Sequence, residues 1–444
     1  MKQSRNLGRG CHELRLRNDP SGRLPRSFGA RNDIYRDDAQ IEFVPTIGCW
    51  EIPKICRHGF NRAKTVNRRL ISGMRSKILF FYTSQDSGHH RAARAIETAF
   101  RPYSDVETLA LDSIKCAYPR TGRMMINWYP KVIRKMPQVW RALYDNQDLA
   151  DAIRDVRKVM NRLYFAKMER ILEEHKPNAI ICTQAAPCHV AAAYKKEKGN
   201  GLPLVAVITD YLVHPYWLHD QVDLYIVPTK EAKETLIERA IPGGKIKEIG
   251  IPIDPKFVSS YNKLKRRSEL GLAREVTTLL ITGGSRGMIP VKKILRLLSQ
   301  VNALFQAIMV AGRNRRLWLR VKRMERNLAF TTKVLSYTES MDSLMDASDL
   351  IITKPGGLTI AEALAKGLPL IIVRPIPGQE ERNGRYLIDQ GAALAVDHLK
   401  ELPEVMEELL LSPLKIEEMS RKAQVLARPK AAEESARAIM ELME

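Results

Sequence analysis

The chain has no run of 18 apolar residues, so no stretch has the length and apolarity of a membrane-spanning helix. Its six cysteines, Cys11, Cys49, Cys56, Cys116, Cys182 and Cys188, include no CxxC pair. With Cys182 set in an apolar run, they read as reduced thiols of a cytosolic protein. The first 73 residues hold no apolar segment of roughly 7–15 residues that would make a secretory signal. There is no GxGxxG fingerprint and no D-x-D sequence. Asp and Glu are missing altogether from Ser113 to Tyr144.

What is present points to a globular α/β protein with an anionic partner. A length of 444 residues allows two or more domains with real cores. An apolar fraction of 45% and a charged fraction of 27% are ordinary. The net charge of +22 is not. It favours nucleic acid, anionic lipid or a phosphorylated substrate.

Residues 1–73 carry 15 Lys/Arg against 7 Asp/Glu and show no sustained period of 2 or 3.6. They read as a basic, disordered extension, or as sequence upstream of a start at Met74; a nucleic-acid-binding arm is the alternative. From Arg75 the texture changes. Lys77–Thr83 is an apolar run of strand length, followed by SQDSGHH and the helical RAARAIETAF. A strand, a Gly-containing turn and a helix aim backbone N–H groups at a ligand. Strands are also expected at Val106–Asp112, Ala179–Thr183, Leu204–Thr209 and Leu224–Val227, with a helix over Ala150–His175. Thr209, Asp210, His214, Trp217 and His219 cluster after one of them, and Asp210 and His214 have the spacing of a hydrogen-bonded pair.

The acid-free stretch holds Lys115, Arg120, Arg123, Lys131, Arg134, Lys135 and Arg141, interleaved with Trp128, Tyr129, Trp140 and other large apolar residues. Rings at headgroup depth beside long basic side chains suit an anionic membrane surface. An amphipathic helical pair packing on its own domain is the bland alternative.

Ile249–Phe257 closes the first series, and the basic, apolar-poor Lys263–Arg267 marks a linker. A second series of strands follows at Thr277–Thr282, Gln306–Ala311, Thr331–Leu335, Leu350–Thr353, Pro369–Val373 and Ala392–Val396. GGSRGM after the first of these lets backbone close on a phosphate. The expected units are 1–73, an acceptor and membrane domain at 74–252, a second domain at 253–425, and a terminal helix at 426–444. Two such domains facing a cleft would bind one substrate each.

Three motifs, GGSRG, KPGGLTIAEALAKGLP and RPIPGQEERN, together resemble the carboxy-terminal domain of GT-B-fold glycosyltransferases, the group with the peptidoglycan GlcNAc transferase that makes lipid II. SQDSGHHRAARAIETAF, PQVWRALYD, ITDYLVHPYWLHDQVDLYIVPTKEAKETLI and GIPIDPKF resemble the monogalactosyldiacylglycerol synthase and processive diacylglycerol glucosyltransferase family. The likeness spans roughly Met74 to Val396. It implies two Rossmann-like domains and an inverting transfer of a hexose from UDP-glucose or UDP-galactose to diacylglycerol. The setting would be the anionic, cytoplasmic face of a membrane, with no nucleic-acid partner.

The resemblance assigns roles residue by residue. Gly283, Gly284, Ser285 and Arg286 would meet the diphosphate, with Pro355, Gly356, Gly357 and Thr359 at a helix N-terminus. Glu362 would accept both ribose hydroxyls. Gln379 and Glu380 would bind the donor sugar, with Glu381 and Asn383 beside them. His89 would be the general base or would bind a lipid headgroup, in which case Asp86 or Asp210 supplies the base. Gly88 and His214 fall on the acceptor side. No metal and no other cofactor is expected, since helix termini and N–H groups can hold the leaving UDP.

This chain departs from the family pattern in a less glycine-rich first loop and in Gln184, where relatives often carry His. Rival readings are transfer to a polyprenyl-linked or other acceptor, a UDP-sugar epimerase, and a non-catalytic membrane or nucleic-acid-binding protein.

Overall fold

Short apolar runs alternate with helices from Ser76 onward and assemble into two parallel sheets. The computed structural model describes residues 75–85, 87–119, 122, 154–373, 375–376 and 378–444. The expectations placed on residues 1–73 and on Asp86, Trp128, Tyr129, Lys131, Arg134, Lys135, Trp140 and Arg141 lie outside the described residues.

The first sheet contains β1 (Ser76–Tyr82), β2 (Val106–Asp112), β3 (Ala179–Cys182), β4 (Leu204–Val207), β5 (Leu224–Val227) and β6 (Ile246–Glu248). Their order is β2-β1-β3-β4-β5-β6, and every pairing is parallel. The second holds β7 (Thr278–Thr282), β8 (Gln306–Val310), β9 (Thr331–Leu335), β10 (Leu350–Thr353), β11 (Leu370–Val373) and β12 (Ala393–Val396). These run β12-β11-β10-β7-β8-β9, again all parallel. Strands such as LVAV and LIIT are buried throughout because helices cover both faces of each sheet. The expected strands fall within two residues of the observed ends. β6, the three-residue IKE at a sheet edge, carries too little apolar pattern to be read from sequence.

Strand order decides where ligands can sit. In the first sheet it reverses between β1 and β3, and in the second between β7 and β10. Connections leaving the two strands at such a reversal go to opposite faces and open a crevice at the carboxyl edge. The loops in question are those after Tyr82, Cys182, Thr282 and Thr353.

Two segments behave differently from the sequence expectation. Lys263–Arg267 is the start of a helix, Lys263–Glu269, fixed to the second domain. Arg267 is only 4% exposed. It donates to the carbonyls of Ala347 (2.9 Å) and Arg274 (2.6 Å) and to the Asp349 carboxylate (2.5 Å). A charged segment reads as a linker when its partners are 80 residues away in the chain. The terminal helix, Ala431–Met443, returns to the first domain. Ala431, Ala436, Ala438 and Ile439 pack against Ile78, Phe80, Ala93, Ile96 and Phe100. Arg428–Glu248 (3.3 Å) and Lys247–Glu441 ion pairs tie this return in place.

Arg267→Ala would leave the half-buried Asp349 without that guanidinium partner. We expect a loss of about 3 kcal/mol of stability, read as a lowered urea midpoint, with the cleft residues untouched.

Candidate active site

On the first domain, Ser87 shapes the turn after β1. Its Oγ donates to the Thr83 carbonyl (2.8 Å) and accepts the His90 N–H (3.2 Å), starting the helix Gly88–Ala99. That turn delivers His89 to the cleft. His89 Nδ1 lies 3.0 Å from the Thr183 carbonyl and 2.8 Å from Thr209 Oγ1. A carbonyl can only accept, so Nδ1 carries the proton and Nε2 keeps the free lone pair. Thr183 Oγ1 in turn donates to the His89 carbonyl (2.9 Å), fixing the backbone. Burial lowers the His89 pKa, partly offset by the Asp210 charge; burial raises that of Asp210, against the opposing charge of His89 and bonds from Asn383 and Gln379.

On the second domain, the loop after β7 folds tightly on itself. A Cβ at Gly283 would sit 2.6 Å from the Met288 nitrogen. The turn after β10 opens the helix Gly357–Ala365, whose N-cap, Gly356, supplies no side-chain bond to the first N–H groups. Those donors and the helix dipole suit an anion. Lys354 stands beside them, paired with Glu380, whose other oxygen accepts the Ile376 N–H (2.9 Å).

The domains meet here. Gly357 lies so close to the first domain that an added Cβ would be 2.0 Å from the Thr209 carbonyl. Gln379 donates to Asp210, and Asn383 Nδ2 bridges Asp210 (3.3 Å) and the Pro355 carbonyl (3.2 Å). Arg286 donates to Ser84 (3.0 Å). Between the domains runs a cleft of about 250 Å³ lined by Gly88, His89, Asp210, Gly283, Gly284, Ser285, Arg286, Gly356, Gly357, Thr359, Gln379 and Glu380, among others. A small recess adjoins it, bounded by Ser285, Gly312, Tyr337, Met341, Thr359 and Glu362. Glu362 is 3% exposed, with Arg91 3.6 Å away. Burial, only partly countered by that arginine, pushes its pKa up to about 7.

The structure gives several of the expected site residues specific partners. Asn383 is 1% exposed, and its Oδ1 accepts the Tyr211 N–H (2.9 Å) while its amide donates as above. It bridges the two domains. Pro355 contributes a carbonyl to that bridge and leaves the cleft to Gly356 and Gly357. Asp210 takes its hydrogen bonds from Gln379 and Asn383 across the cleft, while His214 is engaged locally. His214 Nδ1 accepts the Tyr216 N–H (3.1 Å) and caps the short turn Pro215–Trp217. Gln184 has a comparable local task, its Oε1 accepting the Ala186 N–H (2.8 Å). Glu381 binds the Gly378 N–H (3.0 Å) at the start of the helix Gln379–Asp389.

Arg91, Lys354, Tyr337 and Met341 line the site without having been read from sequence. Lys354 stands inside KPGG and Arg91 two residues after His89, so a cation beside each phosphate-type turn was the available signal. Tyr337 and Met341 had none.

Comparison with known proteins follows the same division. The family described as Monogalactosyldiacylglycerol (MGDG) synthase matches residues 89–253, and Glycosyltransferase family 28 C-terminal domain matches 278–436. A Processive diacylglycerol beta-glucosyltransferase of Bacillus subtilis (strain 168) is 34% identical over 264 residues, 57% of this chain and 68% of that protein. The chain belongs to the monogalactosyldiacylglycerol synthase and processive diacylglycerol glucosyltransferase family. Another member, from Bacillus pumilus, is 28% identical over 347 residues, 78% of this chain and 89% of its own. Among solved structures, Acinetobacter baumannii MurG superposes with a TM-score of 0.56 at 15% identity, covering 82% of this chain and 99% of that one. A UDP-GlcNAc 2-epimerase from Neisseria meningitidis gives 0.55 at 15% identity, covering 82% and 100%. Both share the GT-B fold of this family member.

The raised pKa of Glu362 has a sign that can be measured. The unfolded chain gives up this proton near pH 4.5 and the folded one near 7, so its contribution to stability is present below 4.5 and falls as pH rises to 7. Glu362→Gln is therefore expected to match the parent at pH 4 and to exceed it at pH 8 by up to about 3 kcal/mol in urea unfolding.

Proposed function

We propose that the protein is an inverting glycosyltransferase that moves a hexose from a UDP-sugar to diacylglycerol at a membrane surface. The observation that carries this reading is the meeting of the two crevices. The imidazole lone pair of His89 shares one cleft with the phosphate-type loop Gly283–Gly287 and the N-terminus of Gly357–Ala365. Both family matches and the names of the relatives support it.

In this reading the diphosphate rests on the N–H groups of the Gly283–Gly287 loop and of Gly356–Thr359, with Lys354 nearby. Glu362 takes the ribose hydroxyls, and Gln379 and Glu380 face the hexose. His89 Nε2 removes the proton from the acceptor hydroxyl. That oxygen attacks the anomeric carbon from the face opposite UDP, the C–O bond to phosphate breaks, and an α-linked donor gives a β-glycoside. The lowered pKa of His89 keeps it in the base form at neutral pH, and the Asp210 charge supports the imidazolium that forms. Leaving-group charge is met by N–H dipoles and lysine, so no metal is required.

The relatives are named glucosyltransferases, so UDP-glucose is the first donor to test, with UDP-galactose beside it. The site of action is proposed to be the cytoplasmic membrane surface, with the protein bound peripherally. No helix among the described residues is long and apolar enough to cross a bilayer.

Purified protein with UDP-glucose or UDP-galactose and diacylglycerol in anionic vesicles should release UDP and form a glycolipid, at an unchanged rate in EDTA. Release of no UDP from either donor overturns the reading. His89→Ala should lower kcat about 10²–10⁴-fold with UDP affinity retained. The parent's kcat/KM should rise with pH through an apparent pKa below 6.5.

A further inference from the structure

Between Val276 and Met324 the chain contains ten Lys and Arg and no Asp or Glu. This stretch is as one-sided as Ser113–Tyr144, yet it lies in the other domain. Part of it serves the cleft through Arg286. Most of it does not. The helix Arg315–Met324, RRLWLRVKRM, buries Val321 and sets Leu317 and Trp318 against the second domain's core. Its opposite face exposes Arg315, Arg316, Arg320, Lys322 and Arg323.

Leu319 sits at the middle of that face, 40% exposed. It has Arg315 and Arg323 one turn away at four residues and Arg316 and Lys322 at three, all neighbours on a helix surface. Lys322 pairs with Glu325 at 2.5 Å. No ion pair engages Arg315, Arg316, Arg320, Arg323 or Arg326 among the described residues. The helix Val291–Leu298 packs into the same apolar cluster. It lies on the same side of the sheet, because β7→β8 and β8→β9 are successive parallel crossovers of one hand. Its exposed Lys293 and Arg296 therefore extend the positive surface.

Unpaired arginines around an exposed leucine match a bilayer interface: guanidinium groups reach lipid phosphates while the apolar tip enters the headgroup boundary. A nucleic-acid backbone would satisfy the arginines and leave Leu319 without a role. We propose that the arginine face of the helix Arg315–Met324, centred on Leu319, docks on an anionic phospholipid bilayer. The idea deepens the reading of a lipid-acceptor enzyme and rests on it. It adds that the UDP-sugar-binding domain itself bears on the membrane.

The test is sedimentation of the full chain with phosphatidylcholine vesicles, with and without phosphatidylglycerol, in the absence of donor and acceptor. Each basic residue near such a surface is worth roughly fivefold in partition. The variant R316Q/R320Q/R323Q is expected to bind phosphatidylglycerol vesicles at least tenfold more weakly than the parent. Its UDP affinity should be unchanged, since none of the three lines the cleft. Leu319→Trp should add blue-shifted emission on these vesicles and none on neutral ones. Equal binding by parent and triple variant overturns the proposal. So does unshifted Leu319→Trp emission on vesicles that have captured the protein, or a parent that prefers duplex DNA or RNA to the vesicles. Transfer is assayed separately. A protein that docks through this face but moves no hexose defeats the functional reading alone.

Discussion

Asn383 holds the cleft together. One buried amide takes the Tyr211 N–H and gives its own protons to Asp210 and to the Pro355 carbonyl. It joins the segment after β4 of the first sheet to the turn after β10, one of the reversal-point strands of the second, so the geometry between domains is fixed at one place. A buried amide with every contact filled tolerates little displacement, because each lost bond leaves a desolvated partner. Gly357 is the steric counterpart: it lets the helix N-terminus approach the Thr209 carbonyl, and Thr209 in turn contacts His89. Phosphate-type turn and imidazole are thus linked through a handful of atoms.

Parallel strands were legible because burial on both faces writes continuous apolar runs into the sequence. The phosphate-type turns were legible because glycine marks places where backbone must come close. What did not show was anything carried by a partner far along the chain. Lys263–Arg267 looked like a linker, because Arg267's partners Ala347 and Asp349 are remote in the chain. The bridging bonds of Asn383 did not show, because amides serve equally well as ligands and as bridges. Arg91 and Tyr337 reach the recess by packing, for which no local pattern exists.

Charge is handled at a cost in the cleft. Glu362, His89 and Asp210 are held where burial disfavours their ionised forms. Sites that keep unfavourable groups for chemistry commonly give up stability to do so.

The return of the helix Ala431–Met443 to the first domain bears on how the chain is made. Ile78, Phe80, Ile96 and Phe100 precede the second domain in the chain, but the helix that shares their apolar cluster follows it. During translation the helix Gly88–Ala99 therefore lacks this packing partner for as long as the second domain takes to emerge, a period when aggregation competes with folding. The first domain can finish only after the second has been built, which makes the two halves of the cleft complete at nearly the same moment.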